Sequence, residues 1–129
     1  MVVVLIDLEP AIVSALRNDP ELNSLLGRDA KGNTKVYPLA APDISLPKVT
    51  FFELTNFDNK FAGDMALSSA IHFQVDVWHN SNTSKISSAV NRVMESLGFV
   101  RSGTNSLYES DTKIYHRALR YKKTQLGVD

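Results

Sequence analysis

The sequence contains no cysteine. This absence excludes disulfide bonds, a cysteine nucleophile, thiolate zinc sites and iron–sulfur ligation, and it fits a reducing compartment. Long apolar runs are also lacking. The N-terminal run covers only residues 2–6, against roughly 18 residues for a membrane-spanning helix. Because this run has neither a basic leader nor a small-residue cleavage site, the sequence predicts a soluble protein with no signal peptide and no membrane association.

An excess of charge of either sign is absent as well, since 14 Lys and Arg residues balance 14 Asp and Glu residues. A neutral chain has no overall attraction to nucleic acids or acidic membranes, because such partners are bound mainly through clustered cationic charge. Hydrophobic residues make up 43% and charged residues 22%, which is typical of a globular protein. A length of 129 residues favours a single domain over residues 1–129.

Two helices are predicted near the N-terminus. Apolar residues at helical spacing indicate one amphipathic helix over residues 4–18. Asp19 is expected to cap a second, short helix that begins at Pro20 and ends at Gly27, because proline suits the first helical position and glycine the position after the last.

A third helix is the clearest element of the chain. Ser81 or Asn82 is expected to cap its N-terminus, and Gly98 to end it. The helix carries a continuous apolar stripe formed by Ile86, Ala89, Val90, Val93, Met94 and Leu97. Such a stripe predicts that one helix face packs on the core.

Segments rich in Val, Ile, Phe, Tyr and Thr predict strands. They cover residues 35–37, 48–57, 69–79, 99–109 and 112–124. Residues 38–47 contain three prolines and are expected to form an irregular loop. The order of helices, strands, helix and strands predicts an α+β fold. We expect a two-layer sandwich, with a mostly antiparallel sheet of four to five strands, helices on one face, and a flexible tail over residues 122–129.

His72, Asp76 and His79 lie close together in one predicted strand and are residue types used in metal and acid–base sites. His72 and Asp76 share a face but lie about 13 Å apart along an extended strand, too far to ligate one ion together. His79 falls on the apolar face. His116 on a neighbouring strand could complete a site, although nothing in the sequence places it there. The sequence therefore favours a solvated or partner-binding face over chemistry.

That face is defined by strand alternation. Side chains alternate across a strand, so His72, Gln74, Asp76 and Trp78 are expected to lie together, opposite Ile71, Phe73, Val75 and Val77. From the residues alone, we interpret this polar face as a solvated or partner-binding surface.

The sequence gives little support for nucleophilic catalysis or for a phosphate-binding loop. No G-x-S-x-G motif or paired nucleophile and base occurs, and "GRDAKGNT" lacks the order of a phosphate-binding loop. No catalytic residue, metal ligand or cofactor-binding residue is predicted, and the protein is not expected to be an enzyme. A small metal-binding or enzymatic α+β domain remains the alternative from a different class.

The basic segment "HRALRYKK" resembles nucleic-acid platforms in which aromatic and basic residues interleave. Arg117 and Arg120, however, have opposite parity on a strand and point to opposite faces. Ion pairing across the sheet or with a partner subunit is the favoured interpretation, and sequence-specific nucleic-acid binding is not expected.

The connection over residues 57–68 has no consistent period and is unusually long for a hairpin, which is typical of functional loops. Its apolar residues either fold back on the sheet or contact another chain. Phe57, Asp58, Lys60, Phe61, Asp64 and Met65 are the candidate contact residues of this segment.

Four stretches in this order resemble the tail-completion, or tail-to-head joining, proteins of long-tailed bacteriophages. They are "DLEPAIVSALRNDPELNSLLG", "KVYPLAAPDISLPKVTF", "FQVDVWHNSNTSKISSAVNRVMESLGF" and "IYHRALRY", and the resemblance covers residues 7–121. Its landmarks are the "VYP…P…LP" entry to a long strand, "V-x-V-W" before the helix, and the closing "H-R-A-L-R-Y" strand.

The resemblance implies a structural role in the virion. Such proteins form a ring, typically hexameric, that caps the tail tube, ends its polymerisation and offers a joining surface to the head connector. The implied partners are further copies of the chain, the tail tube protein and the head–tail connector protein. The implied location is the virion tail, assembled in the host bacterial cytoplasm. A head–tail connector adaptor is the alternative within this structural class.

Overall fold

The computed structural model describes residues 5–62 and 65–126, with the backbone alone described for residues 58–62, 65–68 and 126. Three helices and a five-stranded sheet make up this part of the chain. The helices are α1 (Glu9–Arg17), α2 (Pro20–Leu26) and α3 (Ser84–Ser96). The strands are β1 (Val36–Pro38), β2 (Lys48–Ala62), β3 (Met65–His79), β4 (Val100–Glu109) and β5 (Ile114–Leu126).

The strands follow the spatial order β1-β2-β3-β5-β4. The β1–β2 pair is parallel, and the other three pairs are antiparallel. The α+β class and the mostly antiparallel sheet predicted from the sequence are therefore confirmed, with five strands. Among the described residues, no helix has the length and apolar character needed to cross a membrane.

One face of the sheet packs against the helices. In β3 the predicted apolar residues Ile71, Phe73, Val75 and Val77 are completely buried, as the alternation predicted. They pack with the apolar stripe of α3 and with the buried leucine and isoleucine residues of α1 and α2. The largest buried side chains of this core include Tyr121, Phe51, Phe73, Ile12, Leu16 and Met94.

Helix α1 begins later than the periodicity predicted. It starts at Glu9, with Pro10 in its first turn, where proline is tolerated because the missing N–H has no partner inside the helix. Leu5 falls within the predicted helical span but precedes the helix and is 78% exposed, so it does not contribute to the apolar face. The predicted start at residue 4 lies outside the described residues.

The predicted ends of α2 are confirmed. The Asp19 carboxylate accepts a hydrogen bond from the Leu22 N–H at 3.1 Å, and Gly27 follows the last turn with a positive φ of 73°. Asp19 also accepts a hydrogen bond from Arg92 of α3 at 2.9 Å. This bond to Arg92, assisted by the Leu22 N–H and opposed by partial burial, lowers the pKa of Asp19. One carboxylate thus joins α2 to α3.

Helix α3 carries the predicted stripe, with Leu97 at its partly buried end. The N-cap is Thr83 rather than Ser81 or Asn82, although the Asn82 side chain accepts a hydrogen bond from the Ser84 N–H at 2.8 Å. Gly98 ends the helix as predicted, because its φ of 91° lies in the left-handed region that glycine adopts without strain.

The connection predicted between β2 and β3 is instead mostly strand. Paired residues extend from Lys48↔Trp78 to Ala62↔Met65, with register shifts near residues 54 and 59. These irregularities break the alternation of apolar and polar residues, which is why the sequence has no consistent period there. The prediction of a loop over residues 57–68 was therefore wrong for the described residues.

The predicted C-terminal end of the last strand is also corrected. Strand β5 continues to Leu126, because its last residues pair with the extension of β3, from Ser68↔Leu126 to His72↔Lys122. Residues 122–126 therefore belong to the sheet and not to a flexible tail. Residues 127–129 lie outside the described part of the chain.

Candidate assembly interface

The sheet face that points away from the helices is the candidate functional surface. Directly opposite residues of an antiparallel pair share a face. The residues of β2 and β5 that lie opposite even-numbered residues of β3 are therefore on this surface as well. We call this surface the open face and define it by Thr50, Phe52, Phe57, His72, Gln74, Asp76, Trp78, Leu107, His116 and Arg120.

A hydrogen-bonded network crosses the open face. Arg120 Nε donates to Gln74 Oε1 at 3.2 Å, and Gln74 Nε2 donates to Asp76 Oδ1 at 2.9 Å. His116 Nε2 lies 2.7 Å from the same Asp76 oxygen. Asp76 is only 4% exposed, so its carboxylate depends on these two partners for the hydrogen bonds that water would otherwise supply.

Trp78 and His116 form an aromatic stack beside the Asp76 carboxylate. The Trp78 and His116 rings lie 3.8 Å apart at an angle of 9°, and Trp78 Nε1 donates to Thr50 Oγ1 at 3.0 Å. Trp78 is therefore fixed by a stacked ring on one side and by a hydrogen bond to the next strand. A half-buried tryptophan held in one orientation is a typical anchor of a protein interface.

Each predicted residue of β3 lies where strand alternation placed it. His72, Gln74, Asp76 and Trp78 share the open face, and His79 lies at the end of β3, where its Nδ1 accepts a hydrogen bond from the Asn80 N–H. His72 and Asp76 are not brought together, and the partner of Asp76 is His116. Over the described ranges, no group of three or more His, Cys, Asp or Glu residues is placed to hold a metal ion.

Arg117 and Arg120 point to opposite faces, as predicted. Arg120 lies opposite Gln74 on the open face, and Arg117 lies opposite Val77 on the helix side. The basic segment is therefore divided between the two faces. Lys123, also on the helix side, donates to the carbonyl of Leu97 at the end of α3 (2.6 Å), where a cation is favourable.

The candidates from the predicted loop are only partly described. Phe57 lies opposite Ala70 on the open face and is 53% exposed. The side chains of Asp58, Lys60, Phe61 and Met65, and all of Asp64, lie outside the described residues. Phe57 is thus the one member of this group whose side chain contributes to the described surface.

Sequence reasoning missed His116, Thr50 and Leu107 as members of the open face. Their position follows from the registers Trp78↔His116, Thr50↔Asp76 and Leu107↔His116. Register depends on where each hairpin turns and on where a residue is inserted into a strand. The alternation in "IYHRALRY" could have placed His116 and Arg120 on one face, but not opposite a particular residue of β3.

The His116–Asp76 pair has the geometry of an oriented imidazole, as in acid–base sites. Within the described part of the chain, no hydroxyl is hydrogen-bonded to His116, and its ring lies flat against Trp78. The arrangement therefore holds an aromatic pair in place and offers no activated nucleophile.

The fold has a counterpart among solved structures. A chain in a structure titled "Virion of native gene transfer agent (GTA) particle" superposes with a TM-score of 0.65 and 17% sequence identity, covering 90% of this chain and 92% of that one. At this identity the match shows a shared fold. No curated protein sequence gives a significant match.

A family model defines the relationship at the level of sequence. The model described as "Tail completion protein gp17" matches residues 10–124, which include all the described helices and strands apart from the first residue of α1 and the last two residues of β5. A protein matched over almost its whole length by one family model shares the family's fold and descent. The chain belongs to the tail completion protein family.

Proposed function

We propose that this protein is a structural component of a bacteriophage or prophage virion that completes the tail. Copies of the chain form a ring, six in number by resemblance, on the end of the tail tube. The ring ends tube polymerisation and presents a joining surface to the head connector protein. The observation that carries this proposal is the family match over residues 10–124.

The open face supports an assembly role. It combines a half-buried tryptophan, two half-exposed apolar side chains (Phe57 at 53% and Leu107 at 50%) and a polar network that is already internally satisfied. Aromatic and arginine residues beside apolar side chains are the composition of interface cores. A preformed network also reduces the entropy lost on binding, because these side chains are ordered beforehand.

Half of the contact residues proposed for the assembled ring lie on this face. The proposed residues are Phe57, His72, Gln74, Asp76, Trp78 and Arg120, together with Arg117 on the helix side and Asp58, Lys60, Phe61, Asp64 and Met65 from the β2–β3 hairpin. The open face lies either at a subunit contact or along the ring lumen. The role requires no catalytic step, and we propose that the protein is not an enzyme.

The termination mechanism follows from the geometry of rings. A ring contact joins different surfaces of two identical subunits, and it closes only if the rotation between neighbours returns to the start. One face of such a ring matches the last ring of the tube, whereas the other does not match a further tube subunit. Addition of tube protein therefore stops, and the free face is available to the connector.

Electron microscopy of tails made with and without the gene tests this function. We expect tails of defined length joined to heads when the protein is present. In its absence we expect overlong tubes, or tubes without heads, and restoration when purified protein is added. Tails of normal length joined to heads in the absence of the protein would contradict the proposal.

A further inference from the structure

A second polar site lies on the opposite side of the sheet from the open face. It is a cleft of about 190 Å³ between the first half of α3 and the strands β4 and β5. We call it the arginine cleft and define it by Ser84, Ser87, Ser88, Asn91, Arg101 and Arg117. Among the described residues no carboxylate lines it, and its two charged groups there are the guanidinium groups.

Two buried polar atoms in this cleft have no hydrogen-bond partner within the described part of the chain. They are the Ser87 Oγ and the Arg117 Nε. Ser87 is only 5% exposed, so water has little access to its side chain. Buried polar atoms nearly always have a hydrogen-bond partner. Two unpaired atoms in one cleft therefore indicate that a ligand supplies the missing hydrogen-bond partners.

The charges of the cleft favour an anion. Neither Arg101 nor Arg117 forms an ion pair within the described ranges. Both act on the same buried hydroxyl: burial and the Glu95 carboxylate raise the pKa of Tyr121, and the positive charges of Arg101 and Arg117 oppose that rise. The N-terminal turn of the 13-residue helix α3 adds partial positive charge beside Ser84.

The size of the cleft restricts the ligand. Sites for cofactors and drug-sized ligands usually occupy about 300–1,000 Å³, whereas this cleft measures about 190 Å³. A carboxylate on a side chain fits such a space, and the planar fork of an arginine suits its two oxygens.

We propose that the arginine cleft binds a carboxylate, and that in the assembled ring an acidic side chain of the neighbouring copy supplies it. The second half of this proposal rests on the proposed function. A copy of the chain has suitable groups, because Asp43 and Asp111 are exposed and form no ion pair in the described part of the chain. The contact joins unlike surfaces of two copies, as ring closure requires.

The first experiment tests the carboxylate site on the isolated protein. Sodium acetate is titrated while the arginine Nε–H resonances are followed by NMR, with sodium chloride at matched ionic strength as the reference. We expect saturable shifts at Arg117 and Arg101, with about a tenfold loss of acetate affinity in Arg117→Gln. Arg28 is an exposed arginine that donates only to the Gly32 carbonyl, and it serves as the internal control. Shifts that do not saturate, or equal shifts at Arg28, would overturn the site.

The second experiment tests the source of the carboxylate. Purified variants are added to tail tubes assembled without the protein, and occupied tube ends are counted by electron microscopy. We expect Arg117→Gln to reduce occupancy about tenfold and Arg28→Gln to match the wild type. Full occupancy by Arg117→Gln, despite weakened acetate binding, would overturn the assignment to a neighbouring copy. Failure of the wild type to bind tube ends would overturn the proposed function and this assignment, while the acetate titration still decides the cleft.

Discussion

Asp76 is nearly fully buried on a face that no described helix covers. Side chains surround it: His116 and Gln74 are hydrogen-bonded to its carboxylate, and Trp78 stacks on His116. The sequence predicted which β3 residues share this face, because alternation depends on the strand alone. It did not predict the burial of Asp76, since that requires the register that places His116 opposite Trp78.

Replacing His116 tests the importance of this pairing for stability. In His116→Ala the Asp76 carboxylate loses a hydrogen-bond partner 2.7 Å away, and Trp78 loses its stacked ring. We expect the free energy of unfolding to fall by about 2 kcal/mol in urea denaturation. Arg120→Ala removes an exposed residue of the same network and is expected to cost less than about 0.5 kcal/mol. Equal losses in the two variants would show that burial of Asp76 is unimportant.

Asp19 provides a prediction about pH. Asp19→Asn retains a good N-cap for α2 but loses the charge bound to Arg92. The wild type is therefore expected to be more stable by about 1 kcal/mol at neutral pH. Because the folded state lowers the pKa of Asp19 from its ordinary 3.8, this advantage is present above that value and is lost as the pH falls through the folded pKa.

Urea denaturation of both proteins across the pH range measures this difference. The gap in free energy should be constant between about pH 5 and 7 and should close below about pH 4. An advantage that persisted undiminished in strong acid would contradict the ionic origin of the contact.

At the scale of elements, boundaries set by local capping residues were predicted more accurately than boundaries set by long-range strand pairing. The boundaries of α2 follow from Asp19, Pro20 and Gly27, which act within a single turn of the chain. The β2–β3 hairpin extends to Ala62 and Met65 because its two strands pair with each other and β3 pairs with β5. Such long-range pairing keeps these residues in strands although their sequence is irregular. No local sequence pattern predicts it.

Shortening the β2–β3 hairpin tests whether its outer part serves assembly. Asp58 and Ser69 are directly paired, so a two-residue Asn-Gly turn in place of residues 59–68 should close the hairpin between them. The described core ends at Phe51 on β2 and Ile71 on β3. We therefore expect an unchanged melting temperature together with loss of tail completion.

The β4–β5 hairpin offers a matched control. Glu109 and Ile114 are paired, so replacing residues 110–113 by the same Asn-Gly turn shortens the other hairpin without touching the β2–β3 hairpin. This variant should complete tails. Loss of completion in both variants, or in neither, would contradict a specific role for the β2–β3 hairpin.

Trp78→Ala tests the open face as a contact. The substitution removes the ring held between Thr50 and His116, and we expect tail completion to fall at least about tenfold. Tyr108 provides the control, because it is an exposed aromatic residue on the other face, with its ring centroid 4.7 Å from that of Tyr115. Tyr108→Ala should complete tails normally. Circular dichroism establishes that both variants are folded, and unimpaired completion by Trp78→Ala would exclude the open face.

At the scale of the whole molecule, the balanced charge gives no overall attraction to nucleic acids. The basic residues of "HRALRYKK" do not form one surface, because Arg117 and Arg120 lie on opposite faces. The sequence predicted this separation from parity. It did not reveal the arginine cleft, which exists only where α3 lies beside β4 and β5.

The expected consequence is a lack of affinity for DNA. Fluorescence anisotropy with a labelled duplex at physiological salt should show no binding at protein concentrations below about 10 μM, because non-specific affinity comes from neutralised phosphates. A basic DNA-binding domain at the same salt serves as the positive control. Salt-sensitive binding in the low micromolar range would contradict the division of the basic segment.

The stack of Trp78 on His116 also gives the protein an intrinsic optical probe. Trp78 is the single tryptophan of the chain, so all of its indole fluorescence comes from one position on the open face. If a second surface covers that face during assembly, the emission maximum will shift to shorter wavelength as water is displaced from the ring. Assembly can then be followed in real time without a label, and its rate can be compared with that of tail maturation.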